Sequence, residues 1–595
     1  MKKNRCFKSV AILATLLVLG SLYLSCSRCA PLADGEYTLH LLSTNDIHGH
    51  WFDSLYVTPA DDGSATLQTR RSLFSINTFV KNFRDSVGEE NVILVDAGDC
   101  LQGDNAPYFF NYIDTVDSHL FAKMVDYMKY DAVIVGNHDI ETGHPVYDKV
   151  KKDLDERGIP FLAGNAIRKD NKRPYFQTYT IVERAGLKVA ILGYTNANIK
   201  AWLSEELWSG MTFESLIPIV QNDIDRIAKK EKPNILIVVV HSGTGEGDGT
   251  QLENQGLDLY NTLTGADFLV CSHNHRAYIA QNETIAFLNS GSHARNIAHG
   301  EITIKIKDGK VISKVFKTEL IENTFEPDTA MRSAFQKDFE KVKAFTLTPV
   351  GELTTDLYTR DAFKGMSPYI NLVHTLGLTE TGAELSIAAP LSYNKKISAG
   401  QLVFNDLFTL YPYENQLFVI KMSGEEIKNY LEYSYDGWIV TDNPSHLLKI
   451  HPQDDLRYSQ HKWSFVNRSY NFDSAAGINY TVDIHKPFGE RVTILSMASG
   501  ESFDPNKIYT VAITSYRASG GGGLLENAGV DTEQIDERIV ARYPEYREIL
   551  YQYLKKHEVL SPESIGDKNL IGEWHFVPQK EAERRIADDM KLLFD

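Results

Sequence analysis

The amino-acid sequence predicts two α/β domains in tandem, joined by a charged helix. Three observations lead there. From Tyr37 to Asn323 short apolar runs alternate with amphipathic stretches, the pattern of strands and helices layered on a central sheet. Pro327 and Asp328 then open a charged helical stretch to about Ala344, with Asp328 placed to cap it. From about Thr346 to Leu554 the α/β pattern resumes. A chain of 595 residues is also too long for one core and fits about two or three domains.

In chain order, Lys2 to Lys8 form a basic segment and Val10 to Leu24 an apolar run. The run has secretory-signal length and falls short of the ~20 residues of a membrane span. Tyr23-Leu24-Ser25-Cys26 looks like a bacterial lipobox, which makes Cys26 the lipid-bearing residue of an exported, membrane-anchored protein. Simple cleavage near Ala30 is the alternative. Strands are expected at Tyr37 to Leu42, Asn91 to Val95, Asp131 to Val135, Val189 to Gly193, Ile235 to Val240 and Asp267 to Val270, with another beginning at Ala286. Helices are expected at Phe79 to Asp85, Leu120 to Lys129, Val146 to Arg157 and Leu216 to Lys230. Asp308-Gly309, between two alternating runs, predicts a hairpin. In the second half, Gln416 to Met422 reads as a strand and Ser423 to Tyr433 as a capped helix. The expected organisation is a signal over 1–25, a first domain over 36–323, a linking helix over 324–345, a second domain over 346–555 and a charged tail over 556–595.

Composition is that of a globular protein, with 43% hydrophobic residues. The formal charge is -18, and loss of Lys2, Lys3, Arg5 and Lys8 with the signal takes it to about -22. Such a balance argues against a nucleic-acid polymer as partner, because a phosphate backbone needs a basic face. Small anions remain admissible where bound cations dominate the local potential. With Cys6 removed and Cys26 acylated, Cys29, Cys100 and Cys271 remain, too few for a disulfide framework. Cys100 and Cys271 sit in apolar surroundings and read as packing residues.

Five strand ends carry metal-ligand side chains: Thr44-Asn45-Asp46-Ile47-His48, Asp96-Ala97-Gly98-Asp99, Gly136-Asn137-His138-Asp139, Val240-His241-Ser242-Gly243 and Ser272-His273-Asn274-His275. Any one of these side chains alone reads more simply as a core or surface residue. Asp46, His48, Asp99, Asn137, His241, His273 and His275 together, on strands ending at one sheet edge, predict a metal centre. Carboxylates, one carboxamide oxygen and imidazoles suit two borderline divalent cations, zinc, manganese, cobalt or similar. Asp99 can bridge them with its two oxygens. Paired cations hydrolyse phosphate esters by activating a water in line with the leaving group.

These five segments resemble those of the calcineurin-like metallophosphoesterases, and from about residue 38 to 555 the chain is similar to the bacterial 5′-nucleotidase family. The resemblance implies that Asp46, His48, Asp99 and His275 hold one ion, and Asp99, Asn137, His241 and His273 the other. His275 replaces a glutamine common in the family, and Ser272 a glycine. His138 would then bind no metal. It resembles the histidine that stabilises the transition state or protonates the leaving oxygen. Its acidic partner in the family is an aspartate three residues on. That position is Glu141 here, and Asp139 is the competing candidate.

In the second domain, Tyr413, with Asn415 beside it, and Tyr516 resemble the two aromatic residues that clamp a base in the family; stacking needs only a flat π face. Taken alone they read as loop anchors. Gly521 and Gly522, in the run Gly520 to Gly523, would let backbone approach a ligand. Where 5′-nucleotidases carry an arginine for the phosphate, Ala388-Ala389-Pro390-Leu391-Ser392 has none, and Gly522 stands where an aspartate holds the ribose. Those departures, with Ser367-Pro368-Tyr369, Tyr470-Asn471-Phe472-Asp473 and Ile199-Lys200-Ala201-Trp202, resemble the 2′,3′-cyclic-nucleotide 2′-phosphodiesterase/3′-nucleotidase branch. The resemblance implies a nucleotide substrate; the lipobox reading implies membrane association through the lipid anchor alone, and no obligate protein partner is inferred. A 5′-nucleotidase or UDP-sugar hydrolase is the alternative, and a nucleotide-binding lipoprotein the non-enzymatic one.

Overall fold

A computed structural model describes residues 32–594 except 60–64, 414, 442, 453–461 and 533, so Cys26 and the leader lie outside the described residues. The first domain is α/β, as the alternation predicts, but it holds two six-stranded sheets rather than one central sheet. In the first sheet Gly35–Thr44, Val92–Asp96, Ala132–Ile134 and Phe161–Leu162 run parallel. The hairpin Asn296–Lys307/Lys310–Glu322 completes it on the side of Gly35–Thr44. In the second, Leu187–Tyr194, Ile235–Val240, Phe268–Val270 and Ala286–Asn289 run parallel, with antiparallel strands at both edges.

The strands of both sheets are apolar on both faces, as parallel sheets covered on both sides require. Leu39, Leu41, Ile93 and Val95 of the first sheet meet Val189, Ile237, Val239 and Val270 of the second in one shared core. The alternate residues point outward. Leu42, Leu94 and Val133 pack beneath the helices Leu73–Val87 and Leu120–Tyr127, and Leu192, Val238 and Val240 beneath Leu216–Glu231. Each such side chain contributes roughly 1.5–3 kcal/mol on burial. Helix Leu73–Val87 starts earlier than its apolar periodicity suggests, because Ser72 and Ser75 form a capping box.

Two helices, Thr329–Ala334 and Gln336–Thr346, connect the domains, and the Asp328 carboxylate accepts from the amides of Ala330 and Met331 at 2.8 and 3.0 Å. Phe345 wedges between the domains, its ring centroid 5.2 Å from Phe109 and 4.3 Å from Phe404. Tyr108 Oη donates to Glu548 across the same junction at 2.8 Å.

The second domain is built on a mixed sheet in the order Ser474–Ala476, Leu385–Ala388, Ile508–Thr514, Gln416–Ser423, Ile539–Glu545. Residues 556–595, expected to be a charged tail, are instead part of this domain across their described length. Val559–Leu560 pairs with Pro349–Leu353, and Trp574–Val577 runs parallel to Ile478–Asp483. Helix Gln579–Phe594 buries Ala582, Ile586 and Leu593, and Phe594 stacks on Phe363 at 6.2 Å. Its buried Asp589 accepts from the Leu447 and Leu448 amides at 2.8 Å each. The charge density that suggested a tail belongs to one face of an amphipathic helix. Among the described residues no helix is long and apolar enough to cross a membrane.

Candidate active site

All five motif segments follow the carboxyl ends of strands, three in the first sheet and two in the second. Face-to-face packing of the sheets, rather than a common sheet edge, brings them together. Five of the seven ligand candidates sit in the left-handed backbone region: Asp46 (φ 48°), His48 (45°), Asp99 (60°), His273 (71°) and His275 (57°). For residues with a Cβ this costs on the order of 1–3 kcal/mol each, and such strain concentrates at functional sites. It turns the side chains inward from the strand ends.

The side chains form two groups, Asp46 with His48 and His275, and Asp99 with His241 and His273. In the first, Nε2 of His48 and Nε2 of His275 are 2.9 Å apart, and each is 3.9 Å from Asp46 Oδ1. In the second, His241 Nε2 lies 2.9 Å from Asn137 Oδ1 and 3.0 Å from Asp99 Oδ2, and His273 Nδ1 lies 2.9 Å from Asn137 Oδ1. Two atoms bound to one cation at about 2.0–2.2 Å stand roughly 3–4 Å apart, so the donors fit divalent ions in type and spacing. Asp99 departs from the expected bridge. Its Oδ2 alone faces both groups, 3.9 Å from His48 Nε2, while Oδ1 accepts from the His138 amide at 2.9 Å.

Electrostatics make the same point. Burial lifts the Asp46 carboxyl to about 8, with Asp99 adding and His241 opposing. Burial also pushes Asp99 upward, but His241 and His138 outweigh it and hold the group well below the carboxylate range. A cation between them would favour the charged form of both carboxylates.

His138 and Glu141 lie one turn apart on the short helix Asn137–Glu141, and Nδ1 is 2.6 Å from Oε2. The longer side chain therefore reaches. Burial would lower the His138 pKa; Asp99 and then Glu141 more than reverse this and raise it to about 10. Asp139, the competing catalytic candidate, is corrected to a structural brace. Its oxygens accept from the amides of Gly136, Asp99, Cys100 and Leu101 at 2.7–3.0 Å, leaving nothing to orient His138. These bonds tie the Asp99 loop to the His138 helix.

His138 opens onto a cavity of about 490 Å³ between the domains, lined also by Gln102, Gln416 and Glu545. A second cavity of about 350 Å³ lies in the second domain and is lined by Tyr413, Asn415, Tyr470 and Tyr516. Tyr413 and Tyr516 are 43% and 40% exposed, so their rings remain available. Tyr470, from the segment Tyr470-Asn471-Phe472-Asp473, joins them and stands edge-on to both, 6.2 Å from Tyr413 and 6.3 Å from Tyr516. Arg517 follows Tyr516 in the segment Ser515-Tyr516-Arg517-Ala518 and is held from several sides. This buried guanidinium pairs with Asp473 at 2.8 Å, and bonds the carbonyls of Tyr470 and Gly521.

Gly521 and Gly522 do not line the aromatic cavity, contrary to expectation. A Cβ on Gly521 would stand 2.4 Å from the Tyr516 carbonyl, and one on Gly522 2.7 Å from Asn471 Oδ1, at φ +78°. The missing side chains accommodate close packing of the loop around Tyr516 and Arg517.

Residues 39–277 match the calcineurin-like phosphoesterase family model, and residues 348–527 the 5′-nucleotidase C-terminal domain model. The chain is 24% identical to the 2′,3′-cyclic-nucleotide 2′-phosphodiesterase/3′-nucleotidase of Haemophilus influenzae over 94% of its own length and 90% of that protein. It is 23% identical to the trifunctional nucleotide phosphoesterase YfkN of Bacillus subtilis, covering 91% of this chain but only 39% of that one. A Staphylococcus aureus structure of provisional 5′-nucleotidase assignment, solved with α-ketoglutarate, shares the fold at a TM-score of 0.69 and 19% identity, covering 91% of this chain and 99% of the other.

Proposed function

The chain belongs to the family that joins a calcineurin-like phosphoesterase domain to a 5′-nucleotidase C-terminal domain, and on that premise we propose that it hydrolyses nucleotide phosphoesters, preferring 2′,3′-cyclic and 3′-nucleotides. The observation that carries this reading is the pair of ligand groups meeting at Asp99, with the His138–Glu141 pair beside them. Asp46, His48, Asp99 and His275 would hold one divalent cation, and Asp99, Asn137, His241 and His273 the other. When bound, the cations supply Lewis acidity and an acidified water for attack in line with the leaving group. Glu141 holds Nδ1 of His138, which leaves Nε2 to meet the negative charge or protonate the departing oxygen.

Tyr413 and Tyr516 would take the base, with Asn415 at its edge. The cyclic-nucleotide preference draws support from the slot itself. Ala388, Ala389 and Leu391 line it, and its Arg517 is committed to Asp473. Among the described residues the slot's lining includes no other arginine, while Arg542 and Arg547 line the cavity onto which His138 opens. The slot and His138 open into separate cavities, and rotation about residues 324–345 would bring them together around one nucleotide, a kind of step that sets many turnover rates.

Phosphate release from 2′,3′-cyclic AMP, 3′-AMP, 5′-AMP, UDP-glucose and an aryl phosphate tests both parts. The first two nucleotides are expected to be the best substrates. Tyr413→Ala and Tyr516→Ala should weaken all nucleotides by ~1–3 kcal/mol per lost stack and spare the aryl ester. Much faster cleavage of 5′-AMP would overturn the preference, unaltered nucleotide kinetics in both variants would overturn the clamp, and a nucleotide-binding lipoprotein would release phosphate from none.

We also propose export and anchoring through acylated Cys26, motivated by the basic start, the apolar run and Leu24-Ser25-Cys26. Cys26→Ser should move the protein out of the membrane fraction with its activity unchanged. A mass spectrum of the wild type showing an unmodified chain that begins near Ala30 would establish simple secretion instead.

A further inference from the structure

The two histidines around Asn137 are held in different ways. His241 Nδ1 donates to the Ala97 carbonyl at 2.7 Å, with the Ser272 hydroxyl 3.0 Å away, so hydrogen bonds set its ring plane and leave Nε2 for the centre. His273 turns Nδ1 inward. Among the described residues its Nε2 has no hydrogen-bond partner in the protein. What it has is a face. The indole of Trp202 lies over the His273 ring, centroids 5.1 Å apart and planes 21° from parallel.

Trp202 is well placed to fix that face. It ends the short helix Ile199–Trp202, whose Ile199 is fully buried and whose Leu203 amide bonds the Ile199 carbonyl at 3.0 Å. Ahead of the helix, Asn196 Oδ1 accepts from the Asn198 amide at 2.9 Å and its Nδ2 donates to the Glu253 carbonyl at 3.1 Å. Behind it, Trp208 Nε1 donates to the Leu203 carbonyl at 3.0 Å. Trp202 itself packs against the core beneath the first sheet. The main chain of His273 is pinned independently, by φ +71° and by its amide donating to Asp46 Oδ2 at 2.9 Å. With Cα fixed, rotation of the imidazole about its own bond is the remaining freedom, and a stacked indole opposes that rotation.

We propose that Trp202 is a positioning residue for the metal centre, stacking on His273 so that Nδ1 points at the ion shared with Asp99, Asn137 and His241. The inference rests on the reading of His273 as a ligand. Groups that orient metal ligands are worth roughly 10–100-fold in metal affinity. The stack also covers one face of His273.

The test uses the full-length protein stripped of metal and titrated with Zn²⁺ or Mn²⁺, in the wild type and in Trp202→Ala, Trp202→Phe and His273→Ala. Ion stoichiometry, affinity and metal-dependent tryptophan emission are read, with thermal melts as a folding control. Trp202→Ala is expected to weaken one of the two ions by roughly 10–100-fold and Trp202→Phe to restore most of that loss. Both substitutions should abolish the part of the emission change that metal induces in the wild type. Wild-type affinity for both ions in Trp202→Ala would overturn the proposal. So would unchanged ion binding with a raised KM for nucleotides, which would make Trp202 a substrate contact. If His273→Ala loses an ion while Trp202→Ala keeps both, only this inference falls. If His273→Ala keeps both ions, the ligand reading falls with it.

Discussion

Replacing Asp99 by asparagine is expected to abolish hydrolysis while both domains stay folded. Asp99 Oδ2 faces imidazole nitrogens of both ligand groups, 3.0 Å from His241 Nε2 and 3.9 Å from His48 Nε2. An amide there removes the charge that would bind two cations. Because Oδ1 accepts from the His138 amide, the new carboxamide oxygen settles there and turns its NH2 into the centre, a donor where a ligand is needed. The loss should therefore exceed the roughly 10–100-fold that removal of an outer orienting group costs. The shared core of the two sheets does not include Asp99, so the thermal melt of the metal-free protein should be preserved. Full activity with unchanged metal content would refute the bridging role.

His138→Ala should lose activity for a different reason and keep its metal. The side chain is 28% exposed toward the interdomain cavity, and Glu141 holds its Nδ1. A group that stabilises or protonates the leaving oxygen contributes about two to four powers of ten in turnover. The variant is expected to fall by that amount in kcat on nucleotides and aryl esters alike, with two ions still bound by elemental analysis. Loss of an ion would mean that His138 is itself a ligand.

Much of this was legible before any coordinates. Ligand-type residues directly following strongly apolar runs mark strand ends, and strand ends converge in layered α/β domains, so Asp46, His48, Asp99, Asn137, His241, His273 and His275 could be picked out together. What spacing does not carry is the path between strands. Nothing in the local pattern tells one sheet of many parallel strands from two sheets sharing Leu39, Val95, Val189 and Val239 as a core. The left-handed turns at Asp46 and His273 were invisible for a related reason: no glycine or asparagine marks them, and only the assembled surroundings hold them there. The motifs that contain Trp202, Tyr470 and Arg517 do not show what those side chains touch, because a single ring or arginine in a short element has no periodicity to betray its neighbour. Asp139 competes with Glu141 in the sequence because a carboxylate next to a histidine looks the same there whether it faces the ring or four backbone amides. Residues 556–595 were misread because their charges were counted without their period, which puts Ala582, Ile586 and Leu593 on one buried face.

The pairing of Trp574–Val577 with Ile478–Asp483, and of Val559–Leu560 with Pro349–Leu353, has a temporal side. A chain made from its amino terminus has every strand of the two-sheet domain in hand once Glu322 has been added. The domain carrying the tyrosines lacks two strands and a packed helix until more than two hundred and fifty further residues have followed. A truncated product would thus keep the full set of strands that carry the ligand candidates while losing the partner domain that completes the cleft, and accidental early termination would yield a fragment with those candidates but without the finished aromatic cavity.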